Sequence, residues 1–195
     1  MYKRQLLKTS SFSSRKNWVT LLIVLILIVL VYDMVFSSLW VQEESKELYI
    51  ESLPKNEALK TGRMLDVPYV HQKPWYCSEA SASMVLQYFG YNLTQDQIHD
   101  AGYDRFENML PIIQRYVQSH YASLSLKELK KEIDEGKPVV IRVLMGSYLH
   151  TVVVVGYDEK YVYIHDPAVG SYLRTNPKAL LKIWKPTGFK AIIFN

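Results

Sequence analysis

Residues 150–166 read HTVVVVGYDEKYVYIHD, two runs rich in Val, Ile and Tyr on either side of Asp158-Glu159-Lys160. Runs of β-branched and aromatic residues bounded by a polar turn read as a hairpin of two strands. Pairing Tyr157 with Tyr161 across that turn places Asp166 opposite Val152. His150 is two residues from Val152, hence on the same face and diagonal to Asp166, at the ~7–8 Å spacing that longer side chains bridge. The two side chains can then meet, the carboxylate fixing the imidazole tautomer while the other ring nitrogen faces a nucleophile. Everything depends on register, because a slip of one residue turns Asp166 to the other face.

Outward from this hairpin, Val139–Leu144 and Lys190–Phe194 have the same strand composition. Asn176-Pro177 opens a short helix between them, with Pro at the first helical position. Upstream the pattern is helical. Cys77–Phe89 is a mostly apolar helix stopped by Gly90, and Thr94 with Gln97 forms a capping box. Phe106–Ser119 carries a broad apolar face of Met109, Leu110, Ile112, Ile113 and Tyr116. A second capping box, Ser125 with Glu128, starts a helix that turns Leu126, Leu129 and Ile133 inward and ends at Gly136. Helices first and antiparallel strands after is an α+β order, not the alternation of βαβ units.

The chain has one Cys, which excludes an internal disulfide framework and any cluster of thiolate metal ligands. That residue, Cys77, stands at the mouth of the first helix with no Ser, Thr, Asp or Asn just before it. The first N–H groups of the helix are then open to an anion, and a helix N-terminus or a nearby cation makes a thiol reactive by stabilising the thiolate. Glu79 opposes this by placing a carboxylate nearby. Gln72, five residues before Cys77, could supply a side-chain amide that joins the Cys77 backbone N–H in an oxyanion hole. Cys77, His150, Asp166 and Gln72 together make nucleophile, base, orienting acid and oxyanion donor. His165 has the wrong parity and points away from Asp166. His71 is an alternative base without an evident acid, and His99 and His120 read as structural or surface residues, His120 at a helix end. No set of these has the spacing of a metal site, and no cofactor motif is present.

Three blocks in this order, DVPYVHQKPWYCSEASASMVLQYFG, HTVVVVGYD and YVYIHDPAVG, resemble the bacteriocin-processing, double-glycine leader peptidases and their stand-alone relatives, which are papain-like cysteine peptidases. The resemblance covers Leu65 to Asn195. It implies a papain-like α+β fold with Cys77 as nucleophile, His150 as general base, Asp166 as its orienting acid and Gln72 as oxyanion donor. The family usually has Gly after the Cys and Gly before the His, where this chain has Ser78 and Leu149.

Ahead of that domain, residues 18–40 read WVTLLIVLILIVLVYDMVFSSLW, with Asp33 as the only charge. About 20 apolar residues cross a bilayer as a helix, and Trp18, Tyr32 and Trp40 suit its interfaces. Lys3, Arg4, Lys8, Arg15 and Lys16 precede it, so the +4 of the whole chain is a +5 tail on a −1 remainder. Basic residues stay on the cytoplasmic side. The expectation is a cytoplasmic tail (1–17), an uncleaved anchor (18–40), a polar linker (41–63) and an external peptidase domain (64–195). The alternative is a signal peptide cleaved near Phe36-Ser37, giving a secreted domain. A remainder near neutrality gives no footprint for nucleic acid. The expected activity is hydrolysis of peptide or amide bonds through a thioester, on a peptide or protein substrate. Acyl transfer by the same triad, or a non-catalytic binding domain of the same fold, are the alternatives.

Overall fold

The structure, a computed structural model, describes residues 18–33, 35, 48–52 and 61–195. The chain divides into two compact units, Met1–Trp40 and Val41–Asn195. In the first, residues 18–33 form helix α1 with their side chains exposed. Among the described residues no helix is long and apolar enough to cross a membrane. The expected anchor is therefore described only in part, and the basic tail 1–17 lies outside the described residues.

The second unit is built on one antiparallel sheet. In chain order its elements are β1 (Tyr49–Ser52), β2 (Arg63–Met64), α2 (Cys77–Tyr88), α3 (Gln95–Asp100), α4 (Phe106–Ile113), β3 (Ser119–Ser123), α5 (Leu126–Asp134), β4 (Val139–Met145), β5 (Tyr148–Tyr157), β6 (Val162–Asp166), β7 (Gly170–Thr175), α6 (Pro177–Trp184) and β8 (Lys190–Phe194). The strands run in the order β1-β7-β6-β5-β4-β8-β3, with β2 paired to the far end of β5. The expected α+β order, helices upstream and antiparallel strands downstream, is the one observed. Strands β4, β5 and β6 are buried along nearly their whole length. Helices α2 and α5 pack on β5 and α6 on β4, so these strands read as continuous apolar runs with little alternation.

Both expected capping boxes form, at Thr94–Gln97 and Ser125–Glu128. Leu129 and Ile133 are fully buried beneath α5, and Leu126 packs at its margin. Helix α2 stops where Gly90 takes φ +89, and the Tyr91 amide donates back to the Leu86 carbonyl at 2.8 Å. Such a closure needs a residue that accepts a left-handed conformation.

Three expectations about the elements are corrected. The helix expected over 106–119 ends at Ile113, and Ser119–Ser123 instead pairs with β8, with His120 opposite Ile193. An otherwise open sheet edge outweighs the weak helical periodicity past residue 116, and His120 sits in a strand instead of at a helix end. Four residues inside the expected linker, Tyr49–Ser52, form an edge strand on β7. The sheet thus begins before Met64. Finally, Tyr157 pairs with Val162 and not with Tyr161. A bulge between Val154 and Gly156 takes up the difference, and Val153 faces His165 as the simple count required. The Val155 carbonyl in the bulge is not orphaned, because the Leu65 amide donates to it at 2.8 Å.

Candidate active site

The bulged register puts Asp166 where the hairpin count placed it. His150 Nε2 lies 2.8 Å from Asp166 Oδ1, and both residues are buried. The Ala168 amide donates to the same oxygen at 2.8 Å, and the Tyr49 hydroxyl donates to Oδ2 at 2.8 Å. Burial alone would push the Asp166 carboxyl up, but the His150 cation and these donors hold it below the ordinary carboxylate range. With Nε2 committed to Asp166, Nδ1 is the nitrogen left for the thiol.

Cys77 is the first residue of α2 and is partly buried. The residue before it, Tyr76, makes no side-chain cap, as the sequence implied. Burial pushes the Cys77 thiol up. The hydrogen bond and charge of His150, the Thr151 backbone and the Arg142 charge outweigh it and lower the thiol to about 7. For His150, burial disfavours the cation, but the Asp166 carboxylate and Cys77 raise it to about 10. Between those two values the site holds a thiolate beside an imidazolium, the reactive form of a nucleophilic cysteine.

A second set of polar side chains leads to the sulfur. Arg142 Nη1 donates to Thr151 Oγ1 at 2.9 Å, Thr151 Oγ1 and Ser78 Oγ are 3.0 Å apart, and Ser78 Oγ is 4.0 Å from Cys77 Sγ. Arginine can only donate. With Thr151 accepting from it, both hydroxyl protons are free to point toward the sulfur. Ser78, where the family resemblance leads to the expectation of Gly, supplies the hydroxyl nearest the sulfur in this set. Glu79, the carboxylate expected to oppose the thiolate, has a partner of its own. It is buried, its Oε1 lies 2.9 Å from His99 Nδ1, and His99 stacks on Tyr76 with ring centroids 4.2 Å apart.

Gln72 lies on the loop before α2, and its amide N–H donates to the Pro167 carbonyl at 2.9 Å. The Gln72 loop is thereby tied to the segment just after Asp166. The Tyr69 hydroxyl adds bonds to the Asp166 and Pro167 carbonyls at 3.1 and 3.3 Å. From the other side, Gln95 accepts from the Lys73 amide and donates to the His71 carbonyl, both at 2.9 Å. Gln72 Oε1 is buried without a hydrogen-bond partner. That oxygen is an acceptor; the donor end of the same amide, Nε2, is the atom that an oxyanion would meet.

Between Gln72 and Cys77 the chain turns through Lys73-Pro74-Trp75-Tyr76, with the Tyr76 amide donating to the Lys73 carbonyl at 3.0 Å. Trp75 occupies the third position with φ +70 and is 71% exposed. That position of a Pro-containing turn favours Gly or Asn, and a bulky residue there costs about 1–2 kcal/mol. Trp75→Gly is therefore expected to stabilise the fold by about 1 kcal/mol, read as a higher urea midpoint; an unchanged or lower midpoint contradicts strain in the turn.

The remaining histidines stand apart. His165 is fully buried, donates through Nε2 to the Val67 carbonyl at 2.9 Å and accepts from the Tyr172 amide at 3.0 Å. It faces away from Asp166, as its parity required. His71 is exposed, 3.4 Å from the Tyr69 hydroxyl. Among the described residues no group of three His, Cys, Asp or Glu side chains is placed to hold a metal ion. Sequence reasoning missed Tyr49, Thr151, Arg142 and Gln95. The first is separated from its partner by more than a hundred residues, and the others carried no motif.

Comparison with known proteins bears on the family and the fold. A Bacillus anthracis protein assigned as a C39-like peptidase shares the fold with a TM-score of 0.62, at 20% identity over 70% of this chain and 98% of that one. A double glycine motif protease from an AMS/PCAT transporter, solved in complex with the leader peptide, gives a TM-score of 0.56 at 25% identity, over 68% of this chain and 93% of that one. The peptidase domain of Streptococcus ComA, a bi-functional ABC transporter involved in a quorum sensing pathway, gives 0.51 at 18% identity, over 64% and 95%. The uncharacterized protein YvpB of Bacillus subtilis (strain 168) is 41% identical over 44 residues, which is 23% of this chain and spans only 18% of that relative. The pattern of the Peptidase_C39 like family matches residues 64–192. On that match, and on the blocks around Cys77, His150 and Asp166 that first suggested it, the chain belongs to the C39-like peptidase family.

Proposed function

We propose that this protein is a cysteine peptidase in which Cys77 attacks, His150 transfers protons and Asp166 orients the imidazole. The observation that carries the reading is the placement of His150, its Nε2 2.8 Å from the buried Asp166 carboxylate and its side chain hydrogen-bonded to Cys77 at the start of α2. That arrangement lowers the thiol to about 7 and raises the imidazole to about 10. In the first half-reaction the Cys77 sulfur bonds to the scissile carbonyl carbon, and the Cys77 N–H with the Gln72 amide holds the oxyanion. The C–N bond then breaks, the amine leaves with the His150 proton, and a thioester remains. Water gives its proton to His150 and attacks that thioester, the C–S bond breaks, and the acid is released with the thiolate–imidazolium pair restored. A peptide substrate is supported by the relative solved with its leader peptide. The apolar run 18–40 behind a basic tail supports a membrane-anchored enzyme with its catalytic domain on the outer face.

Alkylation by iodoacetamide tests the site without knowledge of the substrate. The second-order rate is expected to rise through a midpoint near 7, since thiolate is lost as pH falls below that value, and to stay high up to about 10. A profile with one midpoint in the ordinary thiol range, about 8.5, would overturn the assignment.

A further inference from the structure

Of the three donors on the Asp166 carboxylate among the described residues, two come from the β5–β6 hairpin and its following turn. The third does not. Tyr49 opens β1, is 8% exposed and is placed opposite Thr175 of β7. It lies nine residues past Trp40 and fifteen ahead of the first residue that the family pattern matches. Its hydroxyl is 2.8 Å from Asp166 Oδ2, which is fully buried and has no other hydrogen bond among the described residues. The direction of the bond is set, because an ionised carboxylate can only accept. Burial and the neighbouring Asp166 charge push the Tyr49 hydroxyl well above its ordinary value, so it stays a donor throughout the working range.

We propose that Tyr49 is a positioning residue for the peptidase reaction: through Asp166 Oδ2 it holds the orienting acid of the triad, so the site is complete only when the strand that follows the apolar run is docked on β7. The inference rests on the peptidase reading above. Without the hydroxyl, Oδ2 is a buried carboxylate oxygen with no donor, and the group answers by holding a proton more tightly. A carboxyl that is less ionised supports the His150 cation less, and His150 is what lowers the Cys77 thiol. The effect therefore emerges at the sulfur, although Tyr49 belongs to the opposite side of Asp166 from the imidazole.

Tyr49→Phe in the full-length chain tests this, because it keeps the packed ring and removes only the donor. The expected result is an upward move of the iodoacetamide midpoint with at least a threefold lower rate at pH 7. At pH 10, where the thiol is ionised in both proteins, the rates should converge. In the Asp166→Asn background the same change should have no further effect on the midpoint, which remains readable even if Tyr49→Phe lowers thermal stability. A purely structural role predicts a lower melting temperature with the midpoint unmoved, and that result overturns the proposal. So does an equal shift with and without Asp166. If wild-type alkylation itself titrates as an ordinary thiol, it is the peptidase reading that fails, and the two failures are distinguishable.

Discussion

Hydrolysis of an internally quenched peptide library is expected to fall by on the order of 10⁶-fold in Cys77→Ala, the size of loss seen when a triad nucleophile is removed. The fold should be unharmed. Cys77 is only partly buried at the first position of α2, and Ala is the best helix former. The melting temperature is thus expected to stay near that of the wild type, so lost turnover cannot be traced to unfolding. Labelling by a peptidyl chloromethyl ketone should vanish along with turnover, since Cys77 is the single Cys of the chain. Turnover within tenfold of the wild type in a folded Cys77→Ala protein would mean that the chemistry lies elsewhere.

His150→Ala is expected to be nearly as damaging, with a different signature. Burial already works to raise the Cys77 thiol, and His150 provides the leading opposition. Once it is gone, the Thr151 backbone and the Arg142 charge remain, and the alkylation midpoint should climb toward the ordinary thiol range of about 8.5. At pH 7 that is a loss of thiolate of more than tenfold. Turnover should drop much further, because no group is left to protonate the leaving amine or to activate water. Members of a triad act as a unit, so adding His150→Ala to Cys77→Ala should produce no additional loss. A His150→Ala protein with an unmoved thiol midpoint would sever the pair and leave the lowered thiol without its main cause.

Much of the catalytic half was legible in the sequence because its signals are local. An uncapped Cys at a helix start, two capping boxes and Asn176-Pro177 each depend on residues within one turn of each other, and each is found where the pattern put it. The His150–Asp166 pair was also legible, but through two departures that cancel. The turn at the hairpin tip is one residue longer than counted, with the Asp158 amide donating to the Tyr161 carbonyl at 3.0 Å, and the bulge restores the count. What stayed hidden is long-range and short. Strand β1 has four residues in a polar stretch and acquires meaning only on β7, 117 residues from the acid that Tyr49 grips. Strand β3 has too little alternation to compete with the helical periodicity before it, and the free edge of β8 decided the outcome. Glu79 could be seen near Cys77, but its partner His99 sits on another helix, and no spacing rule connects them.

The bulge in β5 also bears on how this hairpin can change over time. Residues 152–154 are held against 164–165 by buried Val and Ile side chains and by the neighbouring ladder of β4, while β2 clamps the bulge from the edge. A side chain at Gly156 would run into the Arg63 carbonyl and Met64, so the clamp closes only over a glycine. The tip beyond it, with Glu159 and Lys160 exposed, is closed by Asp158. The Asp158 carboxylate accepts from the Lys160 and Tyr161 amides and the Tyr163 hydroxyl, and its amide donates to the Tyr161 carbonyl. A change of length there is expected to alter a surface turn and leave Asp166 facing His150. The hairpin thus separates a solvent-exposed tip from a buried segment whose alignment the proposed chemistry requires.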